Sequence, residues 1–526
     1  MRTLIVKNKK IASVKIQTGE SAPERYAGAE LTKYLSKFGI PAGDALTIDV
    51  RIDPALPKDG YTIRPDDGEI TIRGGNGRGA IYGVYGLLIH YAGVRFFMPG
   101  VEKLGEGDIV VDEEYSLTPV FEQRRIDWKC GGSDADWCVK NGVNNPSHAF
   151  LREEMGGAFE YVEGMFCHTM QRLTGVPQSE QPCLSDPEVL KKVISGVREI
   201  LARHPDASII SVTQNDNPNY CKCPKCAAVD AEEGSPSGTL LRFVNAVAND
   251  VAKDYPNVVI DTFAYWYTIQ APKITKPRPN VCIRVCSIGC CFSHPLSDTT
   301  CQENAAFLHD LLEWNKICDR IYVWDYVTDF AHYVPPFPNF GVLRENMRFF
   351  ADHGVRGMYP EGNSGSVKTG EFGELRAYLL AQLMMNPYMG AEEYYKLMDE
   401  FLEAYYGAGW RYIRAFIDWT CAEAAGSHMG CFEKPLDIIS GDKYLTMEDT
   451  IDGWWDKAEE LAGDRQGAVH RSRTQWEYIK LMLHPDPEKA EALRQYVERE
   501  KIQWREACGD WSHLHEDLSD SAPTEN

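Results

Sequence analysis

The chain has 526 residues, 44% of them hydrophobic and 11% aromatic, ample for two or three domains around a large buried core. Lys and Arg number 55 against 77 Asp and Glu, a net charge of −22 that argues against nucleic acid or an anionic membrane face as partner, because polyanions would be repelled. The opening MRTLIVKNKKIASVKI lacks the basic, apolar and small-residue order of a secretory signal, no run approaches the roughly 20 apolar residues of a membrane helix, and the 16 cysteines scatter as thiols do in a reducing compartment, so a cytoplasmic location is expected.

Residues 1–120 alternate short strand patterns with helices. LIVKNKKIASVKI, YTIRP and EITIRGG read as strands, with helices from Glu24 to Phe38 and from Arg78 to Ala92. This predicts a small α/β domain, closed by VRFFMPG and a drop into polar sequence near Pro119. Gly75-x-Gly77-x-x-Ala80 lies between a strand and a helix and mimics a dinucleotide fingerprint. No acidic residue closes the following VRFFMP strand, so a tight strand-to-helix turn is the better account.

Residues 121–390 repeat a unit of apolar run, polar mouth and amphipathic helix, the rhythm of parallel strands with helical crossovers. Eight strands are predicted: RRIDWKC from Arg124, GVNNPSH from Gly142, VEGMFCHT from Val162, SIISVTQND from Ser208, VVIDTFAYWYT from Val258, VCIRVCSIG from Val281, RIYVWDYV from Arg320 and GVRGMYPEG from Gly354. Helices are predicted from Pro187 to Arg203, Thr239 to Lys253 and Asn304 to Ile317. The expected fold is therefore α/β, with a central (β/α)8 barrel of TIM type. Residues 391–526 read as a helical domain with Trp410, Trp419, Trp454, Trp455, Trp476 and Trp504 spaced through it, followed by a short acidic tail, DLSDSAPTEN, expected to be disordered.

The strand ends carry polar and aromatic groups: Asp127-Trp128, Asn144-Asn145 with His148, His168, Asn215-Asp216, Tyr265-Trp266-Tyr267, Trp324-Asp325-Tyr326 and Glu361 with Asn363. Core packing alone favours Val, Ile and Leu there. Carboxylates interleaved with Trp and Tyr suit a sugar, whose ring face stacks and whose hydroxyls accept and donate. Glycosidic cleavage needs one carboxylic acid to protonate the leaving oxygen and one carboxylate as nucleophile or base. Asp216 is the expected acid, with Glu361 and Asp325 competing for the second role. Trp128, His168, Asn215, Tyr265, Trp266, Tyr267, Trp324 and Asn363 are expected to bind substrate, and Arg125 or Arg284 to meet an anion. Against this stand plainer readings, in which the Asp caps a helix or pairs with an Arg and the His is structural.

Cys221-x-Cys223-x-x-Cys226 offers three thiolates in six residues, compatible with zinc if Cys183 or a nearby His completes a tetrahedron. It reads as a structural loop staple, metal-bound or reduced; catalysis is expected to need no cofactor.

GRGAIYGVYGLLIHYAGVRFFMPG, from Gly77 to Gly100, resembles the N-terminal α/β domain that precedes the barrel in alpha-glucuronidases and beta-N-acetylhexosaminidases. CLSDPEV from Cys183, TQNDNPNYCKCPKC, FVNAVANDVAKDYPNV, WDYVTDF and GMYPEGNSG resemble a bacterial family of unknown function found attached to that domain. The resemblance covers most of residues 1–410 and implies an exo-acting, carbohydrate-active barrel with the loop after the fourth strand at its active site. In alpha-glucuronidases the acid is a Glu, with an Asp and a Glu from later strands as base; the matching positions are Asp216, Asp325 and Glu361. The adjacent acidic pair of hexosaminidases reads Asn215-Asp216 here.

Three functions follow. The first is a glycoside hydrolase acting on a terminal uronic acid or N-acetylhexosamine, its partner a small-molecule or oligosaccharide substrate. The second is a non-catalytic carbohydrate-binding protein on a barrel scaffold, and the third a metalloenzyme using Cys221, Cys223 and Cys226. The tryptophan-rich helices could cover the barrel or form a homo-oligomer interface.

Overall fold

A computed structural model describes residues 3–7, 10–159 and 161–506; the expected disordered tail lies outside the described residues. The chain divides into two compact units, residues 1–158 with 327–347 and 360–526, and residues 159–326 with 348–359.

The first unit opens with strands β1 (Val14–Thr18), β2 (Leu46–Ile52), β3 (Tyr61–Asp66), β4 (Glu69–Gly74) and β5 (Tyr115–Leu117), which form a sheet in the order β5-β3-β4-β2-β1. Helices α1 (Ala22–Lys37) and α2 (Gly77–His90) pack on it. A capping box starts α1: Ser21 and Glu24 each take the other's backbone N–H, and Pro23 sits where no intrahelical donor is needed. Ala27, Leu31, Tyr34 and Leu35 recur at helical spacing and are buried, each large side chain contributing about 1.5–3 kcal/mol. The turn from β4 into α2 is the tight turn expected. A Cβ on Gly75 would lie 1.9 Å from the Pro57 carbonyl oxygen, so two backbone strands approach where no side chain fits.

A buried ion cluster joins this sheet to the segment that follows. Asp59 binds Arg78 Nε at 2.8 Å and Asn76 Nδ2 at 2.9 Å through one oxygen, and Arg124 Nη2 at 2.8 Å and Asn144 Nδ2 at 3.0 Å through the other. Burial alone would push the Asp59 carboxyl up, but the Arg124 and Arg78 guanidinium groups outweigh it and hold it well below the usual carboxylate range. Residues 373–500 of the unit are helical: α8 (Gly373–Met385), α9 (Ala391–Tyr406), α10 (Trp410–Ala424), α11 (Gly441–Leu461), α12 (Gln466–Leu483) and α13 (Pro487–Glu500). Trp455, Trp476 and Trp504 are wholly buried in it, and Phe372 stacks on Trp455.

Parallel strands follow in each unit: β6 (Gln123–Ile126) and β7 (Asn145–Pro146) in the first, and β8 (Ile209–Ser211), β9 (Val259–Ala264), β10 (Val281–Cys286) and β11 (Ile321–Tyr326) side by side in chain order in the second, with β12 (Val355–Glu361) after them in the chain. β6 pairs with β7 in parallel within the first unit, and β8 through β11 pair in parallel within the second. β9, β10 and β11 are buried at every position, as strands covered on both faces must be. α3 (Pro187–Arg203) precedes β8, α4 (Pro224–Glu233) and α5 (Ser237–Val251) lie between β8 and β9, α6 (Gln302–Asn315) lies between β10 and β11, and α7 (Leu343–Asp352) precedes β12. Asp186 caps α3 and Pro187 occupies its first turn, while Val193, Val197, Ile200 and Leu201 turn inward.

Seven of the eight predicted strands are present. The one expected from Val162 is reduced to a single parallel bridge, Tyr161 to Ile209, because Gly164 at φ 69° and His168 at φ 47° turn the chain out of the extended range. Periodicity cannot register such turns, since they are set by where Phe166 and His168 must point.

Candidate functional site

The second unit carries its polar groups where the sheet strands end. Past β8 the chain reaches Asn215-Asp216-Asn217, and the loop of residues 176–181 holds this tripeptide from outside. Gln181 accepts from Asn215 N–H at 3.1 Å and donates to the carbonyls of Asn215 and Asn217 at 2.6 and 3.0 Å. The fully buried Asn215 amide donates to the carbonyls of Pro177 (3.0 Å) and Glu180 (2.9 Å) and accepts from Gln171 N–H (2.9 Å). Asn215, expected to bind substrate, thus fixes the loop with its whole side chain.

Its neighbour is left facing outward. The Asp216 side chain is 55% exposed, and its Oδ1 accepts from the Tyr265 hydroxyl at 3.2 Å. His168 stands across from it, Nε2 at 4.0 Å from the same oxygen. The other ring nitrogen, Nδ1, is 2.9 Å from the Gln214 carbonyl, which can only accept. Nδ1 therefore carries a hydrogen, and Nε2 is the basic nitrogen turned to Asp216. A left-handed backbone at His168 and at Trp266 (φ 51°) marks strain beside these groups.

Aromatic rings line the same strand ends. Phe263 lies 5.4 Å from His168 and 5.6 Å from Trp324, while Phe166 lies 5.3 Å from Trp324 and 4.9 Å from Tyr161. Trp324 and Tyr265 are each 8% exposed, so little of either ring is open, whereas Trp266 is 44% exposed. Tyr267 turns away and stacks on Tyr220 at 4.6 Å. Asp325 is buried and accepts from the Ser287 hydroxyl at 2.7 Å. Burial pushes its carboxyl up to about 6, against the lowering pull of Ser287 and the Tyr326 backbone. Ser287 was not singled out in the sequence; its position one residue past β10 is the signal that could have found it.

Arg284, an expected anion partner, is fully buried and ion-paired with Asp261 inside the sheet. The Phe166 and Phe263 rings and Tyr161 surround the guanidinium at 4.3–5.1 Å. Burial opposes its charge, but Asp261 raises it further, so the charge is matched within the protein. The signal was a lone Asp and a lone Arg in two adjacent apolar strands, VIDTFA and VCIRVC.

The remaining expected residues belong to the first unit. Trp128 is 1% exposed and packs beneath Gly362, Gly373 and the Arg376 guanidinium. Asn363 is buried, its Oδ1 accepting from the N–H groups of Gly365 and Ser366 at 3.1 and 3.0 Å. Asp127 lies 3.2 Å from His148, Arg125 donates to Asn145, and Glu361 is half-buried at the end of β12.

The Sγ atoms of Cys183, Cys221, Cys223 and Cys226 lie within 4.8 Å of one another. Cys183 thus joins the three cysteines of the loop as a fourth thiol, and these four residues could hold a metal ion. Cys291, His294 and Cys301 form a second such group.

The model of a family described as a domain of unknown function, DUF4838, matches residues 106–418, more than half of the chain. The chain belongs to the DUF4838 family. Asp216, Asp325 and the four clustered cysteines all fall within the DUF4838 segment. No curated protein gives a match. Among solved structures, this DUF4838 chain is similar to a GH138 enzyme targeting pectin rhamnogalacturonan II, with a TM-score of 0.50 and 11% identity over 97% of this chain and 74% of that one. It is also similar to CpGH84B, with a TM-score of 0.45 and 12% identity over 99% and 98% of the two chains. The DUF4838 chain has a glycosidase-like fold.

Proposed function

We propose that this protein is a glycoside hydrolase, exo-acting on a terminal uronic acid or N-acetylhexosamine, built on a (β/α)8-type barrel and working in the cytoplasm. The observation that carries the proposal is the Asp216 carboxylate, exposed at the end of a parallel strand, oriented by Tyr265 and faced by the basic nitrogen of His168. A group so placed can reach a ligand, and its loop is held rigidly enough to aim it.

Asp216 acts as the general acid. In that role it passes a proton to the leaving oxygen of the glycosidic bond. Asp325 supplies the base: a carboxyl titrating at about 6 is ionised at neutral pH and yet a stronger base than an ordinary carboxylate. Glu361 stays as an alternative for that role on chemical grounds alone, as a carboxylate ending a parallel strand. The half-open Trp266 offers a stacking face beside Tyr265.

The test is hydrolysis of chromogenic hexosaminides, hexuronides and plain hexosides by wild type and Asp216→Asn side by side. Cleavage of one class by wild type only supports the assignment. Equal turnover by Asp216→Asn removes the acid, and silence across the panel with a sugar-dependent rise in melting temperature favours a binding protein instead.

A further inference from the structure

We propose that Cys183, Cys221, Cys223 and Cys226 bind one zinc ion through four thiolates, and that this ion fastens the 176–185 loop to the loop that presents Asp216. The inference stands apart from the hydrolase reading, since it concerns how the loop is held and not what it does.

The spacing of the sulfurs is the first argument. A tetrahedral zinc with bonds of about 2.3 Å sets its sulfurs about 3.8 Å apart. Cys183 Sγ lies 3.8 Å from both Cys223 Sγ and Cys226 Sγ. Disulfides need about 2.05 Å, so neither pair is bonded. Neutral thiols are weak donors and acceptors, and four of them converging gain little from one another. Four thiolates around a soft divalent ion gain a great deal.

The surroundings of the sulfurs suit thiolates. Cys223 occupies the N-cap position of α4, where the helix dipole favours negative charge. Ser185 contributes its hydroxyl, 3.1 Å from Cys226 Sγ. Such bonds to ligand atoms fix their direction before a metal arrives. Lys222 and Lys225, within the same hexapeptide, offset part of the charge of the site.

The consequence runs through chain connectivity. Cys183 follows directly on Gln178, Glu180 and Gln181, whose side chains and carbonyls hold Asn215, Asp216 and Asn217. The other three cysteines end the loop that starts with those residues. One ion would thus close both loops at their far ends.

Full-length protein, purified without chelator and kept reduced, is assayed for metal by mass spectrometry. One zinc per chain is expected, falling to near zero in Cys183→Ser and Cys226→Ser and unchanged in Cys318→Ser, a buried thiol elsewhere in the same unit. Should the serine variants fail to fold, cobalt added to the chelated wild type must give the thiolate charge-transfer and d–d bands of a tetrahedral site. Hydrogen exchange reads the second half: chelation is expected to speed exchange in residues 176–226 and leave β9, β10 and β11 unchanged. Absence of zinc together with absence of the cobalt spectrum, iron in its place, or two disulfides in the native protein would overturn the site. Identical exchange with and without metal would overturn its role in holding the loop.

Discussion

Tyr265 and Asp216 are joined by a hydrogen bond of 3.2 Å between a phenol at the end of β9 and a carboxylate in the loop after β8, two neighbouring strands of one parallel sheet. The bond fixes the direction of a side chain that is otherwise open to water. Tyr265→Phe keeps the ring and its packing against Phe263 and Trp266 and removes the hydroxyl that makes this bond. Because the acceptor is more than half exposed, stability is expected to change by less than about 1 kcal/mol in urea titration. On a substrate that wild type cleaves, kcat is expected to fall about 10- to 100-fold with KM little changed. Unchanged kcat would show that Asp216 needs no such guide.

Asp325 makes the protein less stable as pH rises across the acid range. Its folded-state carboxyl is raised from 3.8 to about 6 by burial, so between those values the folded chain holds a proton that the unfolded chain has released. Stability from this group is therefore full below about pH 4, declines toward pH 6 and stays level above. The decline amounts to a few kcal/mol at most. Urea unfolding of wild type and Asp325→Asn from pH 4 to 7 should show the wild type losing ground relative to the variant over that window; parallel curves would place Asp325 in a more polar setting than its burial implies.

Asp59 acts in the opposite sense. Its carboxyl is held below the usual range by Arg124 and Arg78, so its contribution is present above about pH 4 and lost as the pH falls further. Asp59→Asn leaves two guanidinium groups without their counter-charge, and the expected cost at neutral pH is about 3–5 kcal/mol. Asp59→Asn should also flatten the acid limb of the stability curve. A loss below about 1 kcal/mol at neutral pH would mean that water replaces the carboxylate.

Asp261 and Arg284 are expected to be strongly coupled. Each is fully buried, and each single change, Asp261→Asn or Arg284→Met, strands a charge inside the sheet at a cost of about 3–5 kcal/mol. The double variant is expected to recover more than half of the summed loss, which a double-mutant cycle measures directly. Additive losses would show that the two charges are stabilised separately.

The strand and helix rhythm of the chain was legible before any coordinates, and so was the family. Amphipathic spacing, caps such as Ser21 and Asp186 and apolar runs such as VVIDTFA are properties of a few consecutive residues, and local sterics and burial decide them. The cysteine loop and the Asn215-Asp216 pair stand out in the sequence for the same reason, each lying within a short stretch. What the sequence could not supply was the partner of each polar side chain. Asn215 and Asn144 sit among the same polar strand ends as Asp216, yet the first binds a loop 35 residues away and the second an aspartate 85 residues away. Cys183, already an expected fourth ligand, meets Cys226 across 43 residues, but Arg284, expected to meet an anion from outside, is matched by Asp261 on the neighbouring strand. A carboxylate or an amide has the same local signature whether it faces water or a buried guanidinium; long-range packing alone decides how much solvent it keeps, and that sets both its charge and its use.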